Sequence, residues 1–231
     1  MANIILDCDL MRYPDSGLYH YCLNLGLHVK EELEKSREGR ISFYVPPAES
    51  KSFGKNASCI AERKWYPSFL KSYLWECDIW HAPFQSGRVL PVNKPHVKVL
   101  LTIHDLNCLH EGRSRKEQAE SLKKTQRLIN HSHALVCISE HSKNDVLTNL
   151  DVGKRPVFVV HNGTHHVAAP PPEPTGYKPS RPFVFGMGYV NRKKNFHTLI
   201  PLLADEMIEL VIAGKIDDAD YANNMKRMAK S

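Results

Sequence analysis

The sequence contains no apolar run approaching the roughly 18 residues that a membrane-spanning helix needs. Its amino terminus, Met1-Ala2-Asn3-Ile4-Ile5-Leu6-Asp7-Cys8-Asp9, turns acidic after three apolar residues. The apolar core of a secretory signal is therefore missing there. Paired cysteines are missing as well. Cys8, Cys22, Cys59, Cys77, Cys108 and Cys137 are scattered, with no C-x-x-C among them. Free buried thiols in a reducing cytosol fit that spacing, so a cytoplasmic protein is expected. The sequons at Asn56 and Asn162 then carry no glycan. No basic run with interleaved aromatics occurs and no nucleic-acid module is recognisable, so nucleic acid is not an expected partner. The G-x-G-x-x-G fingerprint of nicotinamide-cofactor sites is absent. His161, His165 and His166 surround an Asn162-Gly163 turn at a spacing that matches no common zinc pattern, so no metal is expected.

What remains describes a packed α/β protein. At 231 residues, the chain has room for one large domain or one and a half ordinary ones. An apolar fraction of 42% and a charged fraction of 24% are enough for a core and argue against disorder. The net charge of +6 is spread along the chain. Such a balance suits phosphate-bearing ligands, or peripheral contact with the anionic inner face of a membrane.

Apolar strands alternate with amphipathic helices. Strands are expected over residues 3–8, 41–45, 78–81, 97–103, 134–138 and 157–160. Leu18, Tyr21, Cys22, Leu25, Val29 and Leu33 recur at three- and four-residue spacing and predict a first helix. Residues 115–130 predict a second, and Ser139 is placed to cap a third. Residues 46–66 read as an irregular excursion. Strands enclosed by helices imply a parallel sheet covered on both faces. From Val167 to Pro182 six prolines intervene, which fix φ and remove donors. This stretch is the expected linker. The alternation restarts after it, with strands over 183–187 and 208–213, a helix from about Asn195, and a last helix.

Four segments carry candidate chemistry. Asp15-Ser16-Gly17 joins the first strand to the first helix, where free amides and a helix N-terminus suit a phosphate; an ordinary turn glycine is the competing reading. His104-Asp105 ends the apolar strand, in the place where open α/β sheets bind ligands. His104 could exchange a proton or hydrogen-bond a sugar hydroxyl while Asp105 orients it. Ser139-Glu140-His141-Ser142 follows the next strand, and helix capping accounts for it well. Gly186 through Asn195 ends a strand in glycines and brings Arg192, Lys193 and Lys194 before a helix start, where cations oppose the dipole and a diphosphate would explain them.

In this order the segments resemble glycosyltransferase family 4. Asp15 through Tyr21 is similar to that family's Gly-rich first loop and helix start, and Thr102-Ile103-His104-Asp105-Leu106 to its T-x-H-D-L segment. Cys137 through Asp145 resembles its S-x-x-S-x-x-D helix start, Val160 through Thr164 its P-N-G-V turn, and Gly188 through Asn195 its R-K-N loop. The resemblance implies a GT-B fold: a complete N-terminal Rossmann-like, acceptor-side domain over residues 1–166, the linker over 167–182, and part of a nucleotide-sugar-binding domain over 183–231. It implies a hexosyltransferase, mannosyltransferase-like, that moves sugar from a nucleotide-sugar donor with retention and without an essential metal or other cofactor. The acceptor would be a glycan or lipid-linked chain, as in polysaccharide or lipopolysaccharide biosynthesis. Carried onto this chain, His104 and Asp105 would be catalytic. Gly17, Tyr21, Ser139, Gly188, Arg192, Lys193 and Lys194 would bind substrate, with Gly17 and Lys194 facing the diphosphate.

There are departures from the family pattern. Tyr189 stands where many members have arginine, and Tyr19 replaces the second glycine of the first loop. The E-x7-E segment is absent before Ser231, so the chain is expected to be C-terminally truncated and inactive by itself. The alternatives are a GT-B sugar-nucleotide epimerase or hydrolase, and a non-catalytic sugar-binding module. The boundary reading is open to limited proteolysis, which should cut first within 167–182, where prolines leave little backbone in secondary structure. First cuts inside the first sheet would contradict it.

Overall fold

A computed structural model describes residues 1–62, 76–85, 90–91, 94–164, 176–203 and 207–230. The chain divides into two compact units, Met1–Thr164 and His165–Ser231. Of the Pro-rich stretch expected as a linker, residues 167–175 lie outside the described ones, as do His165 and His166.

The first unit is built on seven strands: β1 (Ala2–Asp7), β2 (Gly39–Val45), β3 (Ser58–Ala61), β4 (Ile79–Ala82), β5 (Lys98–Ile103), β6 (Ala134–Cys137) and β7 (Val157–Val159). They form one sheet in the order β3-β2-β1-β4-β5-β6-β7, and every pairing is parallel. The chain leaves β1 toward β2 and β3, then returns to the other side of β1 for β4. That reversal is the topological switch point, beside which sheets of this kind hold their ligands.

Alternation along the strands loads both faces. Leu6, Phe43 and Val45 pack with Met11, Cys22 and Phe53 in one cluster. Ile5, Tyr44, Trp80, Val99, Leu101 and Ile103 form the other, with Leu128, Ile129 and Val146. Of these partners, Cys22 comes from α1 (Gly17–Ser36), Leu128 and Ile129 from α2 (Arg115–Asn130), and Val146 from α3 (Glu140–Asn149). Each starts on a serine. The Oγ of Ser16 accepts from Tyr19 N–H, and that of Ser139 from Ser142 N–H. Ser114 forms a reciprocal capping box with Glu117. The stop of α2 is held by Arg155, whose guanidinium donates to the carbonyls of Asn130 and Ser132. All six cysteines are free thiols, and all but Cys59 are buried. Among the described residues, no helix is long and apolar enough to cross a membrane.

Two expectations differ from the structure. The excursion over 46–66 contains β3, which pairs with β2 in register from Ser42↔Ser58 to Val45↔Ala61. Four residues carry too little periodicity to be read alone; the ladder and the Ser42–Ser58 hydroxyl contact (2.9 Å) supply what the sequence does not. Residues 63–66 of that excursion lie outside the described ones. The helix expected from Asn195 is a 3-10 turn, Phe196–Thr198, running into the four-residue α4 (Leu199–Leu202).

The second unit pairs β8 (Phe183–Met187) with β9 (Glu209–Ala213) in parallel. The helix α5 (Ala219–Met228) covers it through Tyr221, Ala222 and Met225, which pack with Val190 and Phe196.

One glycine fixes how closely α1 approaches the sheet. A Cβ on buried Gly26 would lie 2.5 Å from Phe53 and 2.9 Å from Phe43, whose rings stack at 3.8 Å between centroids. Alanine gains about 1 kcal/mol of helix propensity, while overpacking costs about 1–3 kcal/mol. Overpacking wins where two stacked rings must both yield. Gly26→Ala is therefore expected to destabilise the protein by roughly 1–2 kcal/mol, read as a lower denaturant midpoint at unchanged m-value. A higher midpoint would show that the rings move aside freely.

Candidate active site

The carboxyl ends of β1, β4, β5 and β6 converge near the switch point, and buried polar groups gather there. Asp7, Asp9, Glu62, Thr102, His104 and Ser142 are all buried. Arg12 reaches into the acidic group, donating Nη2–H to Glu62 at 2.8 Å and Nε–H to the Asp9 carbonyl.

His104 lies just beyond β5, with 8% of its surface exposed. Its Nε2 is 2.9 Å from the Pro83 carbonyl, which follows β4. A carbonyl can only accept, so Nε2 carries the proton of the neutral ring and Nδ1 keeps a lone pair. Edge-on rings of Tyr21 and Phe84 hold the imidazole, with centroids at 4.6 and 5.3 Å. Burial pushes the His104 pKa below the ordinary imidazole value, against smaller opposing effects of the Pro83 hydrogen bond and the Asp105 charge. The neutral form is thereby favoured.

The backbone of the loop is fixed just as firmly. Gln85 takes the His104 N–H on Oε1 at 3.1 Å and donates Nε2–H to the Asp105 carbonyl at 2.8 Å. Ser142 donates its hydroxyl to the His104 carbonyl at 2.6 Å. This corrects the expected role of Asp105 as the group that orients His104. Its Oδ1 accepts from Asn107 N–H and closes the following turn, and the ring is oriented by Pro83 instead.

The remaining predicted residues of the first unit fall into place around this loop. Tyr21 sits against the imidazole, and burial pushes its phenol pKa up. Gly17 is the first residue of α1, and a Cβ there would meet nothing within 4 Å. Neither backbone strain nor packing demands glycine; the space where its side chain would stand is open. Ser139 is occupied in capping α3, and its hydroxyl also contacts Ser142 Oγ at 3.1 Å, two steps from His104.

In the second unit, Gly188 adopts φ +139, and a Cβ on it would meet Lys194 Cε at 3.1 Å. The Lys194 stem thus crosses directly over the glycine. Gly214 touches the Gly188 carbonyl so closely that a Cβ would fall 1.9 Å from its oxygen. Arg192, Lys193 and Lys194 form a single 3-10 turn closed by Asn195 at φ 55. This revises the dipole argument: the cations make up the whole of a three-residue turn and are followed by a 3-10 turn and a four-residue helix, so they do not precede a long helix whose dipole they would oppose. Arg192 lies 3.5 Å from Asp218, while Asn191 donates to Asp217 at 2.9 Å.

Pro83, Phe84 and Gln85, which position His104, were not singled out from sequence. The strand-end rule that selects His104 applies equally to the segment after β4, and it was the available signal. His81 was missed for the same reason. Its Nε2 is 2.9 Å from Thr102 Oγ1, and burial pushes its pKa down to about 4.

The matched sequence covers most of this first unit. The family model described as Glycosyltransferase Family 4 matches residues 25–167. The matched span contains His104, Asp105 and Ser139, whereas Gly17, Tyr21 and the Gly188–Lys194 loop lie outside it. No curated protein matches the chain.

His81 gives a pH test of this geometry. Its pKa falls from 6.5 to about 4 on folding, so between those values the unfolded chain binds a proton that the folded one does not. Stability should decline as pH drops through that window and level off below it, by up to roughly 3 kcal/mol. His81→Gln, which keeps a polar group near Thr102, should remove most of that slope. Equal slopes in the two proteins, followed by denaturant unfolding from pH 7 to 4, would contradict a neutral His81.

Proposed function

The chain belongs to glycosyltransferase family 4, and on that premise we propose that it serves the transfer of a hexose from a nucleotide-sugar donor to a glycan or lipid-linked acceptor, with retention. The observation that carries this reading is the state of His104. Its Nε2 proton is committed to Pro83, its ring is neutral, and among the described residues no donor is paired with Nδ1. An unprotonated ring nitrogen at the carboxyl end of a central strand is suited to accept a hydrogen bond from a sugar hydroxyl. A sugar held there is oriented without a charge that would attract bulk water.

The chemistry requires a diphosphate to leave the anomeric carbon. Cations and aligned backbone dipoles stabilise charge developing on that group. Lys194, laid across Gly188, is the residue proposed to meet the diphosphate; Arg192 and Lys193 extend the positive field. In the first unit, the open space beside Gly17, where a side chain would stand at the start of α1, supports a phosphate approach to the helix N-terminus. Residues 1–166 are proposed as the acceptor-side domain and 183–231 as donor-binding, working in the cytoplasm with peripheral contact at a membrane face. The positive net charge supports that last point.

The test separates the anchor of His104 from its free nitrogen. His104→Gln keeps an N–H donor near the Pro83 carbonyl and loses the acceptor at the Nδ1 position. Turnover of nucleotide sugar by the enzyme should fall about tenfold, the effect of losing one hydrogen bond worth about 1.4 kcal/mol. Thermal unfolding should stay close to wild type. Unchanged turnover in a normally folded His104→Gln protein would return His104 to a purely structural role.

A further inference from the structure

Three side chains outside the site described so far come together on the first unit. His110 follows the 3-10 turn Asn107–Leu109, and His141 and Asp145 lie four residues apart on α3. That spacing puts the last two on one helical face. Their ligand atoms and that of His110 all lie within 4.8 Å of one another. His110 Nε2 is 2.7 Å from Asp145 Oδ2, and His141 Nε2 is 3.5 Å from the same oxygen. The two imidazole centroids are 5.4 Å apart.

A histidine and an aspartate one helical turn apart are common on protein surfaces. The third corner distinguishes this group, because it is supplied by a different segment 31 residues earlier. Zinc bonds to imidazole nitrogen and carboxylate oxygen are about 2.0–2.2 Å long, so adjacent ligand atoms in a tetrahedral shell lie about 3.3–3.5 Å apart. The observed separations bracket that value, and adjustments under about 1 Å would seat one ion. Two imidazoles and one carboxylate form a donor set that zinc and its neighbours in the first transition row accept. The histidine side chains are 50% and 75% exposed while Asp145 is 16% exposed. An ion can therefore enter, and a fourth position remains open to water.

We propose that His110, His141 and Asp145 bind one divalent transition-metal ion of the zinc class, through Nε2, Nε2 and a carboxylate oxygen, with solvent completing the shell. The ion clips the loop after β5 to α3. That loop begins at His104 and Asp105, so the clip adds a second tie to the Ser142 hydrogen bond that already joins the two segments. The site uses neither His104 nor the second unit, and stands or falls independently of sugar transfer.

The probes are Zn2+ by calorimetry and Co2+ by its visible ligand-field absorption, each added to chelator-treated full chain. One equivalent should bind, and the thermal midpoint should rise with Zn2+. His110→Ala and His141→Ala should each weaken binding by about 100-fold or more, because each removes one of only three protein ligands. His161→Ala, a histidine outside the group, should bind as wild type. The exposure of His141 makes folding of His141→Ala expected, and its metal-free midpoint checks this. Absence of stoichiometric binding, binding that survives both His110→Ala and His141→Ala, or loss of binding in His161→Ala would overturn the site.

Discussion

The hydrogen bond between His104 and the Pro83 carbonyl depends on the register of two parallel strands. Ile79↔Lys98 through Ala82↔Leu101 are paired across β4 and β5, so the segments that leave those strands emerge side by side. A slip of one residue would turn every side chain of β5 to the opposite face and carry His104 away from Pro83. Register is in turn held by burial on both faces, since Trp80, Leu101 and Ile103 have no exposed alternative. Orientation of one imidazole therefore rests on the core of the whole first unit.

Around that bond the loop is over-determined. Gln85 ties both the N–H of His104 and the carbonyl of Asp105, and Ser142 ties the carbonyl of His104. Two of these contacts come from the segment after β4 and the third from the first turn of α3, so two separate elements hold the same two residues. Such redundancy suits a group that must present one nitrogen in a fixed direction, because preorganisation is what makes a polar contact effective at a reacting centre. Tyr21 and Phe84 add apolar walls that keep the ring neutral.

Much of this was legible in the sequence. The apolar run 97–103 announced β5, and His104 stood out because it is the first polar residue after that strand. The helix expected over 115–130 is observed as α2, Arg115–Asn130, with a Ser114–Glu117 capping box at its start. What sequence could not show was which groups meet across the sheet. Pro83 and Gln85 reach the His104-Asp105 loop over about 20 residues of chain, a separation to which local periodicity is blind. The misread role of Asp105 has the same origin: proximity in sequence suggested that it orients His104, whereas its own backbone offered a nearer partner at Asn107. β3 went unread because Ser58-Cys59-Ile60-Ala61 is stabilised by its neighbour strand and hardly by its composition. The cation cluster misled for a related reason. Its meaning depended on a long following helix, and the chain forms 3-10 turns there.

The central claim is that His104 is a neutral, Nε2-protonated imidazole whose Nδ1 is available to a sugar hydroxyl. Nitrogen-15 NMR of the labelled protein reads this directly, since protonated and unprotonated ring nitrogens are well separated in shift. At neutral pH the account predicts a protonated Nε2 and an unprotonated Nδ1 for His104, with titration below the ordinary imidazole value. A protonated Nδ1, or an imidazolium at neutral pH, would contradict it.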